Sequence, residues 1–270
     1  MGEGRPQSLQ SLERGIAVIQ VFSRERPALT LSEVARLTGI TRATARRILL
    51  TLEEVGHVRS DGRLFSLTPR VLSLGWAYLS SLNLWEIAQP MMEELAQRTN
   101  ESCSAATLDL PDVVYVARVP TRRIMTISLG VGTRLPAYCT SMGRVLLAGL
   151  PEAEVDAFLA GARLERQTDR TITDPARLRA AVDEVRERGW ALVDQELELG
   201  LRSMAAPLRA GGQTVAALNV AVAAPRVGLG ELRDTILPEL LDAARRISEA
   251  LEQGPQPAAA RVDGHGSPVS

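Results

Sequence analysis

Apolar residues recur at helical spacing over the first fifth of the chain and then give way to short alternating runs. Leu12, Ile16, Ile19 and Phe22 mark a first helix from about Ser8 to Ser23, ended by Arg26-Pro27 because proline disfavours helical backbone in the residue before it. Leu31, Val34, Ala35 and Thr38 then follow at i, i+3, i+4 and i+7 and give a short helix one apolar face. Thr30 with Glu33 three residues later is a capping box for its start, and Gly39 supplies the left-handed residue for its end. Ile40 anchors a turn, Thr41 caps a second helix, and Ala45, Ile48, Leu49 and Leu52 repeat the core spacing up to Gly56. Val58 to Leu67 then reads as two strands joined across Asp61-Gly62, a favoured two-residue hairpin turn.

Thr68-Pro69 opens an apolar helix through Leu72, Leu74, Trp76 and Tyr78 to about Leu84, whose apolar residues fall on more than one face and suit a partner helix. A helix from Trp85 to about Gln97 follows, then strands at Cys103 to Leu108, Val113 to Val119 and Ile124 to Leu129. Gly130 to Cys139 reads as an irregular loop. Helices are expected at Ser141 to Ala148, Glu152 to Leu159 and Ala176 to Arg188, the last capped by Asp174 with Pro175 behind it. Strands at Trp190 to Asp194, Met204 to Arg209 and Val215 to Ala223 come next, the last two joined across Gly211-Gly212. A final helix from Glu231 to Leu251 is kinked or restarted by Pro238. The expected organisation is a winged helix-turn-helix domain over 8–69, a linker and dimerisation helix over 70–84, a larger domain over 85–252 and a disordered tail over 253–270, rich in Pro, Ala, Gly and Ser.

Charge sharpens the picture. The 270 residues carry a net charge of −1, yet residues 1–70 hold eleven arginines against seven acids, and the remainder is acidic. On the second helix of the pair, Arg42, Ala43, Thr44, Arg46 and Arg47 occupy the faces left by the core residues, with Thr41 at the cap. Arginines and short polar side chains on one helix suit base edges and groove walls, while Arg59 and Arg63 at the hairpin tip suit phosphates beside the groove. A helix pair, a wing and a basic head on an acidic body together point to double-stranded DNA.

Two cysteines, Cys103 and Cys139, and two histidines, His57 and His265, are too few for a disulfide framework or a four-ligand zinc site, so neither a metal nor another cofactor is expected. No run of eighteen apolar residues and no leader-like N-terminus appear, so the chain is expected in the cytoplasm with no membrane partner. Asp194, Glu196 and Glu198 alternate on one strand face, but without a neighbouring His or Cys they read as surface or hinge acids, and Cys139 without an activating His reads as a small semi-buried thiol. No catalytic constellation stands out, and an enzyme is not expected. A hydrolase with a DNA-binding head is the rival from another class, and a DNA-binding protein whose body only oligomerises is a second.

Arg14-Gly15 in the first helix, Thr-Leu-Ser-Glu-Val-Ala at 30–35 and the arginine-rich second helix resemble the winged helix of the IclR family of bacterial regulators. Thr140-Ser141-Met142-Gly143-Arg144-Val145-Leu146-Leu147-Ala148, Asp194-Gln195-Glu196 and Gly200-Leu201-Arg202-Ser203-Met204-Ala205-Ala206-Pro207 look like signatures of that family's effector domain. Residues 118–125 and 134–141 look most like family members that govern the protocatechuate branch of the β-ketoadipate pathway. The resemblance implies an α+β chain: a winged helix-turn-helix, a linker helix and a GAF-like effector domain with a six-stranded antiparallel sheet flanked by helices. It also implies a small organic acid in that domain, homodimers, pairing of dimers into tetramers, and palindromic operators. The alternative is a regulator of another catabolic pathway with a different effector or none.

Five residues are candidates for the effector site. Family position tips the Ser203 hydroxyl, expected in an irregular stretch just before a strand, toward the ligand over capping local backbone. Asn219, a polar residue within an apolar strand, needs partners and faces either the pocket or a neighbouring backbone group. Thr140 and Ser141 stand where they can cap the next helix, whose N-terminus also suits a carboxylate. Arg134, ahead of Arg122 and Arg123, is the candidate cation because a guanidinium matches carboxylate geometry in two bonds.

Overall fold

Thr30 starts α2 (Leu31–Thr38) with the expected reciprocal pair: the Glu33 amide donates to its hydroxyl at 3.3 Å, and its own amide donates to the Glu33 carboxylate at 2.8 Å. Gly39 ends that helix at φ 67°, a conformation only glycine adopts without strain. The computed structural model containing these elements describes residues 8–82, 84–121 and 129–253. It divides into two compact units, 1–78 and 79–270.

In the first unit, α1 (Gln10–Gln20), α2 and α3 (Arg42–Glu54) enclose Val18, Val34, Ala35, Ala45 and Leu49. Strands β2 (Val58–Ser60) and β3 (Leu64–Leu67) form the wing, and β1 (Ala28–Thr30), which the sequence pattern does not reveal, adds a third antiparallel strand beside β3. Three residues are too few for an alternating pattern, so β1 exists only through its pairing. The wing turn sits one residue later than the sequence suggests. Asp61 closes the hairpin by donating its amide to Leu64 O, and its carboxylate accepts the amides of Arg63 and Leu64 at 2.9 and 2.7 Å. Gly62, at φ 95°, therefore leads the turn. A 3-10 turn, Pro69–Val71, then leads into α4 (Leu72–Leu82).

The second unit is built on a six-stranded antiparallel sheet in the order β6-β5-β4-β9-β8-β7: β4 (Ser102–Asp109), β5 (Asp112–Val119), β6 (Arg134–Pro136), β7 (Ala191–Asp194), β8 (Leu201–Ala210) and β9 (Gln213–Ala223). The expected strand at 124–129 falls almost wholly on 122–128, outside the described residues, as do Arg122 and Arg123. The sixth described strand is instead β6, followed by a 3-10 turn at Ala137–Cys139, inside the stretch expected to be irregular. Gly211 and Gly212, both at positive φ, make the β8–β9 hairpin as expected.

Alternation assigns the two faces of the sheet. Ala216, Leu218, Val220 and Val222 of β9 point to a core completed by α5 (Leu84–Thr99) and α10 (Leu237–Gln253). Ala217 points the other way, into a core completed by α6 (Ser141–Ala148), α7 (Glu152–Gly161) and α8 (Pro175–Arg188). Near Pro238 a short turn, α9 (Leu229–Glu231), and a π-helical stretch, Leu232–Ile236, precede α10, so the proline marks a restart. α6 lies very close to the preceding turn: a side chain at Gly143 would meet the Ala137 carbonyl at 2.0 Å, which explains a glycine in mid-helix.

Candidate DNA-binding face and enclosed cavity

On α3 the apolar back, Ala45 and Leu49, is buried, and Arg42, Ala43, Arg46 and Arg47 are exposed. No hydrogen bond or ion pair engages the guanidinium of Arg42, Arg46 or Arg47 among the described residues. Thr41 caps the helix by accepting the Thr44 amide at 3.2 Å and donates its hydroxyl to Thr44 at 2.9 Å, so both threonines are partly committed to holding the helix start. On the wing, Arg63 is exposed at the tip, and Arg59 donates from Nε to Ser66 at 3.1 Å. The result is a helix with three free cations on its outer face among the described residues, and a wing with two more, of which Arg59 is held by Ser66.

In the second unit a cavity opens between the sheet and the start of α6, with about 480 Å³ of empty space including its mouth. Its apolar walls come from Leu129 and Leu135 on one side, Met142 on α6, and Val193, Leu197 and Leu201 on the other. Two of its polar residues, Arg118 on β5 and Asn219 on β9, stand in register on either side of Ser104, which lies on β4 between them. Arg118 donates to the Ser104 hydroxyl at 3.1 Å, and Asn219 Oδ1 accepts the Ser104 amide at 3.0 Å. No carboxylate pairs with Arg118 among the described residues.

At the helix end of the cavity, Thr140 caps α6 by accepting the Gly143 amide at 3.2 Å and donates to Pro136 O at 3.1 Å. Ser141 differs. It is 1% exposed and lines the cavity, and its hydroxyl has no hydrogen-bond partner among the described residues. An unsatisfied buried hydroxyl costs about 1–3 kcal/mol, so Ser141 is the polar group on this wall with hydrogen-bonding capacity to spare.

Four of the five expected residues, Thr140, Ser141, Ser203 and Asn219, therefore meet at one cavity. Ser203 lies inside β8, paired with Val193 and Ala221, and not in the irregular stretch expected for it. Arg134 stands apart from the other four. It does not line the cavity; its side chain is nearly half exposed and is bound to Asp109 at 2.5 Å and Asp112 at 3.1 Å. These acids sit at the β4–β5 turn, and β6 pairs antiparallel with β5, which brings Arg134 to them. The cavity's cation is Arg118, which sequence reasoning missed because it lies one position beyond the buried run Tyr115 to Ala117 and reads as the solvated end of a strand.

The acid trio is corrected too. β7 ends at Asp194 and Gln195 turns at φ 62°, so strand alternation stops there, and Glu196 is buried against Arg144 instead of facing solvent. Cys139 lines the cavity as a fully buried thiol. Burial, reinforced by the charge of Glu196, pushes it up to about 12 and keeps it protonated. Tyr115, also on the cavity wall, is raised by burial to about 12 and keeps its phenolic proton. Among the described residues no cluster of three His, Cys, Asp or Glu side chains could hold a metal, and no helix is long and apolar enough to cross a membrane.

Two family models match the chain: the IclR helix-turn-helix domain over residues 11–62 and the bacterial transcriptional regulator IclR C-terminal domain over residues 76–249. The Pca regulon regulatory protein of Pseudomonas putida is 46% identical over 250 residues, which is 92% of this chain and 86% of that protein. The p-hydroxybenzoate hydroxylase transcriptional activator of Acinetobacter baylyi is 37% identical over 88% of this chain and 90% of its own length. An IclR homolog from Microbacterium hydrocarbonoxydans, crystallised as a complex with 4-hydroxybenzoate, superposes with a TM-score of 0.81 at 26% identity, covering 90% of this chain and all of that one.

Proposed function

The chain belongs to the IclR family of bacterial transcriptional regulators, and on that premise we propose that it regulates genes of aromatic-acid catabolism in the protocatechuate branch of the β-ketoadipate pathway, with a small carboxylic acid as its effector. The observation that carries the effector class is the two-ended polarity of the cavity: Arg118 at the sheet, without an ion pair among the described residues, and the Ser141 hydroxyl at the start of α6, without a partner among them, with apolar walls between the two. A carboxylate in an enclosed site needs a cation or a helix N-terminus to offset its desolvation, and both are present. The apolar walls suit a ring or a short carbon chain. The name of the Pseudomonas relative supports the pathway, and the 4-hydroxybenzoate held by the Microbacterium homolog supports the ligand class.

In this reading α3 enters the major groove, with Arg42, Arg46 and Arg47 at base edges and groove walls, and Arg59 and Arg63 on the wing hold phosphates. A homodimer, itself able to pair, presents two such heads to a palindromic operator in the cytoplasm. The effector acts by binding one DNA-competent state better than the other, which needs only about 1–3 kcal/mol of coupling.

Calorimetry on the full chain with protocatechuate, 4-hydroxybenzoate and β-ketoadipate tests the proposal. Binding of at least one acid at about micromolar to millimolar affinity, roughly 4–8 kcal/mol, is expected, together with a changed affinity for the chain's own upstream DNA. No heat with any of the three rejects the effector class.

A further inference from the structure

Behind the cavity wall lies an ion pair that neither DNA reading nor ligand contact uses. Arg144, three residues beyond Ser141 on α6, donates to Glu196 in the turn between β7 and β8 at 2.5 Å, and both side chains are less than a tenth exposed. Both charges stand close enough to Cys139, on the cavity wall, to act on its thiol. Stability alone does not explain so enclosed a pair: withdrawing two charges from water cancels most of their attraction, and apolar side chains of similar volume serve as well or better. The pair does supply geometry.

The turn is tied down on its other sides. Thr168 and Thr171 donate their hydroxyls to the carbonyls of Gln195 and Glu196, each at 2.7 Å, and the Gln195 side chain accepts the Gly200 amide at 3.0 Å. Glu196 Oε2 also accepts the Ile172 amide at 3.2 Å. Among the described hydrogen bonds, the one from Arg144 is what joins this turn to α6. The turn carries Leu197 and leads to Leu201, both cavity walls, and α6 carries Ser141 and Met142 on the facing wall.

We infer that Arg144 and Glu196 are positioning residues that set the separation of the 195–200 turn from the start of α6, and thereby the width of the cavity and the size of acid it admits. The inference rests on reading that cavity as the effector site. An exposed or water-mediated pair would let the turn drift. A short, enclosed bond to a turn already held by four other hydrogen bonds fixes it to one position.

The test uses the full chain with Arg144→Met and Glu196→Gln combined, which removes both charges, strands neither and leaves an amide oxygen for Ile172. Calorimetry with 4-hydroxybenzoate and a bulkier hydroxynaphthoate reports the result, because a width set by the pair acts on the ratio of the two affinities, which a general loss of stability does not move. The double variant should bind 4-hydroxybenzoate about tenfold more weakly and the bulkier acid no more weakly than the wild type does, with operator binding without effector at its wild-type value. An unchanged affinity ratio in a folded double variant would overturn the inference and reduce the pair to a general stabiliser. If the double variant does not fold, Arg144→Lys decides: an intermediate ratio supports the inference and a wild-type ratio overturns it. If the wild-type chain binds neither acid, the effector reading falls and the inference with it.

Discussion

The side-chain oxygen of Asn219 accepts the backbone amide of Ser104 at 3.0 Å, so a side chain of β9 adds to the pairing of β9 with β4 on the cavity side of the sheet. Asn219→Leu removes that buried acceptor. A loss of about 1–3 kcal/mol is expected in urea unfolding, with weaker effector binding because Ser104 also accepts from Arg118. Unchanged stability would mean that the amide finds another partner.

Arg42→Ala and Arg46→Ala should each weaken specific operator binding by about 1–3 kcal/mol, whereas Arg59→Ala and Arg63→Ala should weaken all DNA sequences alike and lower the salt dependence. Fluorescence anisotropy on operator and scrambled duplexes makes the comparison. Equal losses on both duplexes for all four variants would remove α3 from the groove.

Along α4, Leu72, Leu74 and Trp76 are 74%, 56% and 59% exposed, an apolar surface unusual for a helix facing only water. Leu72→Glu or Trp76→Glu should shift the chain toward monomer in sedimentation and lower operator affinity together, since two half-sites about 34 Å apart need two joined heads. An unchanged sedimentation coefficient would assign this face to something other than a second copy.

Within the cavity, Arg118→Met should lower carboxylate affinity by about 1.5–3 kcal/mol, the range for a hydrogen bond to a charged group. Arg134→Ala should leave it untouched, since its ion pairs are solvent-exposed and worth about 0–1 kcal/mol. Calorimetry with the same acid on both variants separates them, and the reverse ranking would move the site to the β4–β5 turn.

Alkaline pH should destabilise the second unit through its thiols. Burial holds Cys103 and Cys139 up at about 12, against an ordinary value of 9.0. The unfolded chain releases these protons first, so their contribution is intact below pH 9.0 and declines as pH rises toward about 12. Denaturation midpoints across that range should fall in the wild type and fall less steeply in a variant with both cysteines changed to alanine. Parallel curves would mean that the thiols do not contribute.

The sequence by itself determined what local physics determines. The Thr30–Glu33 capping box, Gly39 at positive φ, the Asp174 cap and the glycine pair at 211–212 each act within a few residues, and all four are found where the pattern puts them. So is the division of α3 into an apolar back and a basic front, because helical period alone assigns those faces. The threonine and serine at 140 and 141 were legible as a helix start; which one caps it was not. Tertiary structure decided everything set by strand order. β1 exists only because β3 lies beside it, and Arg134 faces Asp109 and Asp112 only because β6 docks on β5. Arg118 becomes the cavity's cation only because β4 and β9 set Ser104 and Asn219 in line with it. Glu196 looked solvent-facing in sequence and is buried because α6 brings Arg144 to it from 52 residues away. Periodicity specifies which face of an element a residue occupies; which residues then meet across 50 or 100 positions depends on packing that no local window contains.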